Sequence, residues 1–467
     1  MIHLPENYKE SMKELLGGQY EDFIRTYEDP ACSAIRVNTS KITTQKFEEI
    51  SPFFVEKIPF TTDGYYIKDT DAWSKHPYYY AGLYYIQEPS AMLPATILPV
   101  DENDNVLDLC AAPGGKSTQL FARSPRVLVS NDISFSRSMA LVKNLEVAGA
   151  SAIVTCADPS RLSDFYHECF DKILVDAPCS GEGMFRRDIS LIDAYEQRSN
   201  DYYASIQLKI LENAYELLSP GGMIMYSTCT FSDMEDEQVI SGFLSAHADL
   251  ETIPIDRSSG LSGPYDKYKD DIMLANTVHA FPHLIGGEGH FMALIKKNGP
   301  KGYNDSFYET EKGYTVFATL PENVRTFFDG FSDEYRNKLK DRYFSVMDDG
   351  MIYMLDARSV PFCRKGIRFV RTGTCIGSVK SGGKFIPKTS LALTLRIGDY
   401  KNTINLRADD NAVIKYLKGE TLTTEDIGGF GTDEGTVLVC TDGFPLGFVS
   451  FDGYKYKNLY EKGWVYR

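Results

Sequence analysis

The sequence predicts an α/β protein organised around a mostly parallel, doubly wound sheet, with smaller modules on either side of it. Two observations predict this. Between residues 96 and 298, short apolar runs alternate with helical patterns, which implies parallel strands with helices on both faces. Within that stretch, Val106-Leu107-Asp108-Leu109-Cys110 has the length and composition of a buried parallel strand, and Ala111-Ala112-Pro113-Gly114-Gly115-Lys116 turns it into a helix start at Ser117. A strand, a tight glycine turn and a helix N-terminus bring backbone N–H groups close to a ligand with no side chain in the way. The turn is neither Gly-x-Gly-x-x-Gly nor a phosphate loop. It leaves room for an amino acid and a nucleoside, with no evident cradle for a pyrophosphate.

Composition narrows the class. With 467 residues the chain has room for two to four domains of about 100–200 residues each. A hydrophobic share of 43% and a charged share of 24% are those of a soluble globular protein. The start, Met1-Ile2-His3-Leu4-Pro5-Glu6, reads as no secretory signal, and no apolar run of about 18 residues exists to span a membrane. Nine Cys without a Cys-x-x-Cys pair argue against a zinc site or a disulfide framework and for a reducing cytoplasm. A net charge of −16 argues against a nucleic-acid partner. The distribution tempers that: from Pro361 to Arg407 ten cations, Arg364, Lys365, Arg368, Arg371, Lys380, Lys384, Lys388, Arg396, Lys401 and Arg407, face Asp399 alone. Such a stripe is either ordinary solvated surface or a place to neutralise phosphates.

In chain order, residues 1–95 read as a small α/β domain. Pro5–Leu16 suits a helix ended by Gly17-Gly18, and Ala34–Thr39 and Gly64–Ile67 suit strands. Five Tyr in the eight positions from Tyr78 to Tyr85 suit core packing or stacking on bases, with packing the plainer reading. The central stretch, 96–298, offers strands at Asn105–Leu109, Arg126–Asn131, Ala152–Thr155, Lys172–Val175 and Met223–Tyr226. The last follows a helix ending at Leu218 and a Ser219-Pro220-Gly221-Gly222 turn. A late strand is expected at His290–Ile295, and Lys296–Gly302 reads as a linker. Two small modules follow, at 306–375 and 390–467, the second with β-like runs at Thr436–Cys440, Gly447–Phe451 and Gly463–Tyr466.

In a doubly wound sheet the ligand lies beyond the carboxyl ends of the strands. Acids stand at three such ends. Asp132 is placed to accept ribose hydroxyls, Asp158 to reach an adenine amino group, and Asp176 ends the strand Lys172–Val175. Any one of them could equally be a helix N-cap, but three behind an Ala-Pro-Gly-Gly-Lys turn favour a cofactor. Two Cys also sit just past strand ends in polar blocks: Cys179 in Asp176-Ala177-Pro178-Cys179-Ser180-Gly181-Glu182-Gly183, and Cys229 in Tyr226-Ser227-Thr228-Cys229-Thr230. Cys32, Cys169, Cys363, Cys375 and Cys440 read instead as inert core.

Taken together, Cys110–Lys116, the Pro-Cys block and the Thr-Cys block resemble the motifs of RNA cytosine C5-methyltransferases of the Nop/Sun type, which bind S-adenosylmethionine. The closing Gly-Phe-Pro-Leu-Gly-Phe-Val stretch looks like the PUA-like C-terminal module of the RsmF branch. The resemblance implies a Rossmann-like class I methyltransferase domain at 96–298, an RNA-facing N-terminal domain and a PUA-like RNA-binding module. It implies a cofactor site at Cys110, Ala111, Ala112, Pro113, Gly114, Gly115 and Lys116 with Asp132, Asp158 and Asp176. Cys229 would attack the base, Cys179 would assist release, and Asp176 would hold the cytosine amino edge. Having both cysteine motifs points to RNA, and the Gly-Glu-Gly-Met-Phe-Arg sequence suits the branch acting on 16S rRNA. The rival readings are a tRNA or DNA cytosine methyltransferase, a cofactor-binding ribosome-assembly factor without turnover, and a plain RNA-binding module.

Overall fold

The apolar runs of the central stretch form strands in the computed structural model, which describes residues 2–300, 313–428 and 433–466. The chain gathers into two units: Met1–Lys68, Ile86–Ser138 and Thr155–Tyr308 in one, Asp69–Tyr85, Met139–Val154 and Glu309–Arg467 in the other.

The first unit holds the sheet that positions the site. Its strands are β1 (Asn105–Asp108), β2 (Val127–Asn131), β3 (Phe170–Asp176), β4 (Leu218–Thr228), β5 (Leu250–Thr252), β6 (Val278–Ala280) and β7 (His290–Lys297). They lie in the order β5-β7-β4-β3-β1-β2, with β6 on β7. Strands β1 to β4 pair in parallel and β7 runs antiparallel to β4. Val106, Leu107, Ile173, Leu174 and Val175 are all buried, which is why these strands read as continuous apolar runs and not as alternation. Helices α1 (Gly115–Phe121), α2 (Pro159–Tyr166), α3 (Asn200–Leu217) and α4 (Glu237–Ala246) complete the doubly wound pattern.

Two expectations change here. Helix α3 ends at Leu217, and β4 begins at once: Leu218 pairs with Phe170 and Met223 with Lys172, so Ser219–Gly222 loops out inside a strand and does not precede one. Lys296 and Lys297 close β7 and are not linker; Lys297 is buried and donates to Glu168 at 3.0 Å. The rest of that expected linker falls partly outside the described residues, as do positions 306–312 of the third module.

The N-terminal helix Glu6–Leu16 stops at Gly17, whose φ of 52° suits a residue without Cβ. Its buried stripe, Tyr8, Met12 and Leu16, shares one core with Phe185 and Phe231, which follow closely on the two cysteine blocks. Arg36, on the strand Ala34–Val37, is buried and donates to Gly115 O at 2.9 Å and Thr118 Oγ at 2.7 Å. That ties the N-terminal strand to the start of α1.

The second unit contains two five-stranded sheets around a single core. Val324, Phe328, Phe331, Phe344 and Ile352 pack in the same cluster as Leu438 and Phe448, so the two expected C-terminal modules share their interior. Gly463–Tyr466 is not a strand: Lys462–Trp464 forms a 3-10 turn. The tyrosine cluster packs. Tyr78 and Tyr84 are buried, Tyr78 donates to Asp442 at 2.9 Å, and Tyr84 meets Trp73 edge to face. Three cations of the basic stripe are engaged in ion pairs, Arg371 with Glu146 at 3.0 Å, Lys388 with Glu461 at 2.8 Å and Arg407 with Asp409 at 2.9 Å. Lys365, Lys380 and Lys384 are exposed. No helix among the described residues is long and apolar enough to cross a membrane.

Candidate active site

Beyond the carboxyl ends of β1 to β4 opens a cleft of about 810 Å³. Gly114, with φ of 112°, lets the chain turn from β1 into α1, and Ala111 N–H donates to Asn131 O at 2.8 Å, stitching the turn to β2. Asp132, nearly wholly buried, accepts from Ala112 N–H at 3.3 Å and Ser134 N–H at 2.9 Å. Arg137 braces both sides of this arrangement, reaching the Asp132 carboxylate at 3.3 Å and donating to Ala112 O at 2.8 Å. Asp158 lines the cleft and also caps α2, accepting from Ser160 N–H at 2.9 Å.

Of the expected cofactor residues, the cleft is lined by Cys110, Ala112, Asp132, Asp158 and Asp176. Ala111, Pro113, Gly114, Gly115 and Lys116 build the turn without lining it. The cleft fits S-adenosylmethionine. Its volume suits a nucleoside with an amino acid, the Asp132 carboxylate puts acceptor oxygens on its wall, and Ile133 and Pro159 supply apolar surface.

The reacting end lies where β3 and β4 stop. Lys116 Nζ donates to Asp176 at 2.7 Å and Ser227 Oγ donates to its other oxygen at 2.9 Å. Burial works to raise the Asp176 carboxyl, but Lys116, His290 and the two hydrogen bonds outweigh it and hold it below the ordinary carboxylate range. Lys116 is likewise kept cationic, burial being outweighed by Asp176, with the Cys229 sulfur adding to the effect. Cys179 and Cys229 both line the cleft, with their sulfurs 3.4 Å apart. The hydrogen bond with Cys229, then burial and the neighbouring charges of Cys229 and Glu235, push the Cys179 thiol well up. Cys179 therefore keeps its proton, and the Lys116 cation lies close to Cys229. Of the five Cys read as inert, Cys169, Cys363, Cys375 and Cys440 are buried, whereas Cys32 is half-buried.

Behind the thiols lies a buried network that motif reading missed. Glu235 accepts from Ser180 N–H at 3.0 Å and Gln207 at 2.8 Å, Glu182 accepts from Phe231 N–H at 3.0 Å, and Asn200 donates to both carboxyls. The block after Cys179 and the block after Cys229 are thereby cross-tied. Gly183 completes the tie: its N–H donates to Cys229 O at 2.9 Å, and a Cβ there would stand 3.0 Å from that oxygen. Nothing in a Met-Glu-Asp-Glu run distinguishes it from solvated surface, so only the fold reveals the role. His290 is another such residue; the sequence marks it only as the start of a strand.

Comparison with known proteins agrees with this geometry. The family model for 16S rRNA methyltransferase RsmB/F matches residues 95–296. Models for the N-terminal domain of 16S rRNA methyltransferase RsmF and for the RsmF PUA domain match residues 4–89 and 403–466. The chain is 29% identical over 473 residues to the ribosomal RNA small subunit methyltransferase F of Vibrio vulnificus (strain YJ016), covering 98% of this chain and 96% of that one. It is 29% identical over 474 residues to the protein of the same name from Shewanella sp. (strain MR-7), with the same coverage. A crystal structure of a methyltransferase homolog protein from Pyrococcus horikoshii superposes with a TM-score of 0.54 at 27% identity, over 63% of this chain and 95% of that one.

Proposed function

We propose that this chain, which belongs to the RsmB/RsmF family of Nop/Sun-type methyltransferases, methylates carbon 5 of a cytosine in 16S rRNA through a covalent adduct at Cys229. The observation that carries the reading is the pair of thiols 3.4 Å apart at the ends of β3 and β4, beside the Lys116–Asp176 ion pair. Carbon 5 of cytosine is too electron-poor to attack a methyl donor unaided. Addition of the Cys229 thiolate to carbon 6 makes carbon 5 enolate-like and nucleophilic. When bound, S-adenosylmethionine supplies an electrophilic methyl group on its sulfonium.

The attacking species is the thiolate of Cys229, and the Lys116 cation stands close to that sulfur. Asp176, ionised and oriented by Lys116 and Ser227, accepts from the cytosine amino group. Once carbon 5 carries the methyl group, a base must take its proton, which passes to water in the open cleft. The electrons of that C–H bond re-form the 5,6 double bond, the bond from carbon 6 to Cys229 breaks, and the thiolate returns. Cys179, whose sulfur adjoins that of Cys229, assists this release.

A cytosine within RNA reaches the cleft only if flipped out of its stack. The relatives' names support the small ribosomal subunit as the source of that RNA, and the PUA-domain match supports RNA binding. In this reading residues 1–95, 306–375 and 390–467 grip RNA while 96–298 does the chemistry. The test is to incubate the protein and its Cys229→Ala variant with methyl-labelled S-adenosylmethionine and unmodified small subunits, then map the label. Label at carbon 5 of a 16S cytosine, absent with the variant, is expected. Label on tRNA alone, or near-normal turnover by the variant, would overturn the reading.

A further inference from the structure

We propose that His290 reads the target base, accepting a hydrogen bond through Nε2 from the exocyclic amino group of the cytosine. This rests on the cytosine adduct at Cys229 and adds a specificity-determining residue to it. The position follows from strand register. In the antiparallel pair of β7 with β4, Phe291 faces Thr228 and Met292 faces Ser227, so the register carried one residue past the end of β4 sets His290 across from Cys229, and His290 lies near enough to Asp176 to help lower its carboxyl. Side chains alternate along a strand, which puts His290 on the face of Ser227, the residue bonded to Asp176. Residues directly opposite in such a pair have Cβ atoms about 4.5–5.5 Å apart. A base bonded to Cys229 and held by Asp176 therefore lies against His290.

The ring's hydrogen-bond character is fixed by its partners. Ser90 has a single hydroxyl hydrogen and donates it to Glu88 Oε2 at 2.6 Å. Glu88 also accepts from the backbone N–H groups of Ser90, Ala91 and Glu288. The Ser90 oxygen accepts from Gly289 N–H at 3.1 Å and is 3.1 Å from His290 Nδ1. With its hydrogen spent, Ser90 can only accept from the ring, so Nδ1 carries the proton. Burial above all, and the Lys116 cation with it, push the imidazolium down to about 3 against the pull of Asp176, so the ring is neutral at physiological pH. The remaining nitrogen, Nε2, is then an acceptor only. Cytosine presents an amino donor at carbon 4, where uracil presents a carbonyl oxygen. The amino group has two hydrogens: Asp176 takes one and His290 the other, while a uracil oxygen would meet a lone pair.

A double-perturbation cycle tests this. Small-subunit RNA is prepared with either cytidine or 2-pyrimidinone ribonucleoside, which lacks the amino group, at the position labelled by the wild-type protein. Adduct formation is measured for wild type and His290→Phe, which keeps a ring without the acceptor. The expected ratio of wild-type to variant rates is about tenfold or more on cytidine and near one on pyrimidinone. Equal ratios on the two RNAs would overturn the proposal. Ser90→Ala, which frees the tautomer and leaves the ring in place, should likewise lower the preference for cytidine over pyrimidinone. Cofactor binding by each variant reports on folding, and should His290→Phe fail it, an undiminished preference in Ser90→Ala would overturn the proposal. If the wild-type protein forms no adduct with the cytidine RNA, the failure lies with the adduct reading itself.

Discussion

Glu182 and Glu235 hold the two cysteine-bearing blocks in register, and their burial has a measurable consequence. Burial, and then the charge of Glu235, push the Glu182 carboxyl up to about 7 against the hydrogen bonds it accepts. An unfolded glutamate titrates near 4.3, so over the interval between about 4.3 and 7 the folded state binds a proton that the unfolded state has released. The stability associated with Glu182 is complete below that interval and is lost as pH rises through 7. Glu182→Gln imitates the protonated form. The stability of wild type relative to this variant should therefore fall by about 1–3 kcal/mol between pH 5 and pH 8 in denaturant titrations. A difference that does not vary with pH would contradict the assignment. This is also the scale at which the sequence was least complete. Cys179, Cys229 and Asp176 were legible because small polar blocks at predicted strand ends have few other uses. Glu182, Glu235 and His290 were not, because a carboxylate or imidazole acquires its role from burial by segments distant in the chain.

Arg36 shows what one element contributes to another. Its guanidinium joins the strand Ala34–Val37 to Gly115 and Thr118, the first turn of the helix that follows the glycine loop. Arg36→Met should remove these buried, charge-assisted hydrogen bonds to Gly115 O and Thr118 Oγ, at a cost of about 2–3 kcal/mol. It should also weaken S-adenosylmethionine binding by loosening the loop. Thermal unfolding and calorimetric titration check both effects, and an unchanged melting temperature with unchanged affinity would remove Arg36 from this role. The strands themselves were read from the sequence to within a few residues, because strands covered on both faces are continuously apolar. Ser219–Gly222 has the residues of a turn and does bulge, but pairing on either side keeps it inside β4. Gly463–Tyr466 has strand-like residues and forms no strand, because β-propensity is realised only where a partner strand lies alongside.

For the molecule as a whole, a net charge of −16 has to be reconciled with the proposed RNA substrate. Part of the basic stripe is neutralised by Glu146 and Glu461, but Lys365, Lys380 and Lys384 face solvent. Replacing these three with Ala should weaken RNA binding and lower the dependence of log Kd on log salt by about 0.7–0.9 for each phosphate that is no longer neutralised. An unchanged slope would return the stripe to ordinary surface. The basic excess was visible in the sequence, whereas the core shared across the second unit was not, since residues such as Phe331 and Phe448 meet only in the fold. The most direct test of the whole account is the division of labour between its two thiols. With unmodified small subunits and S-adenosylmethionine, Cys179→Ala should accumulate a protein–RNA species that survives a denaturing gel, and Cys179→Ala/Cys229→Ala should not. A trapped species that persists in the double variant, or none with Cys179→Ala under conditions where wild type turns over, would contradict it.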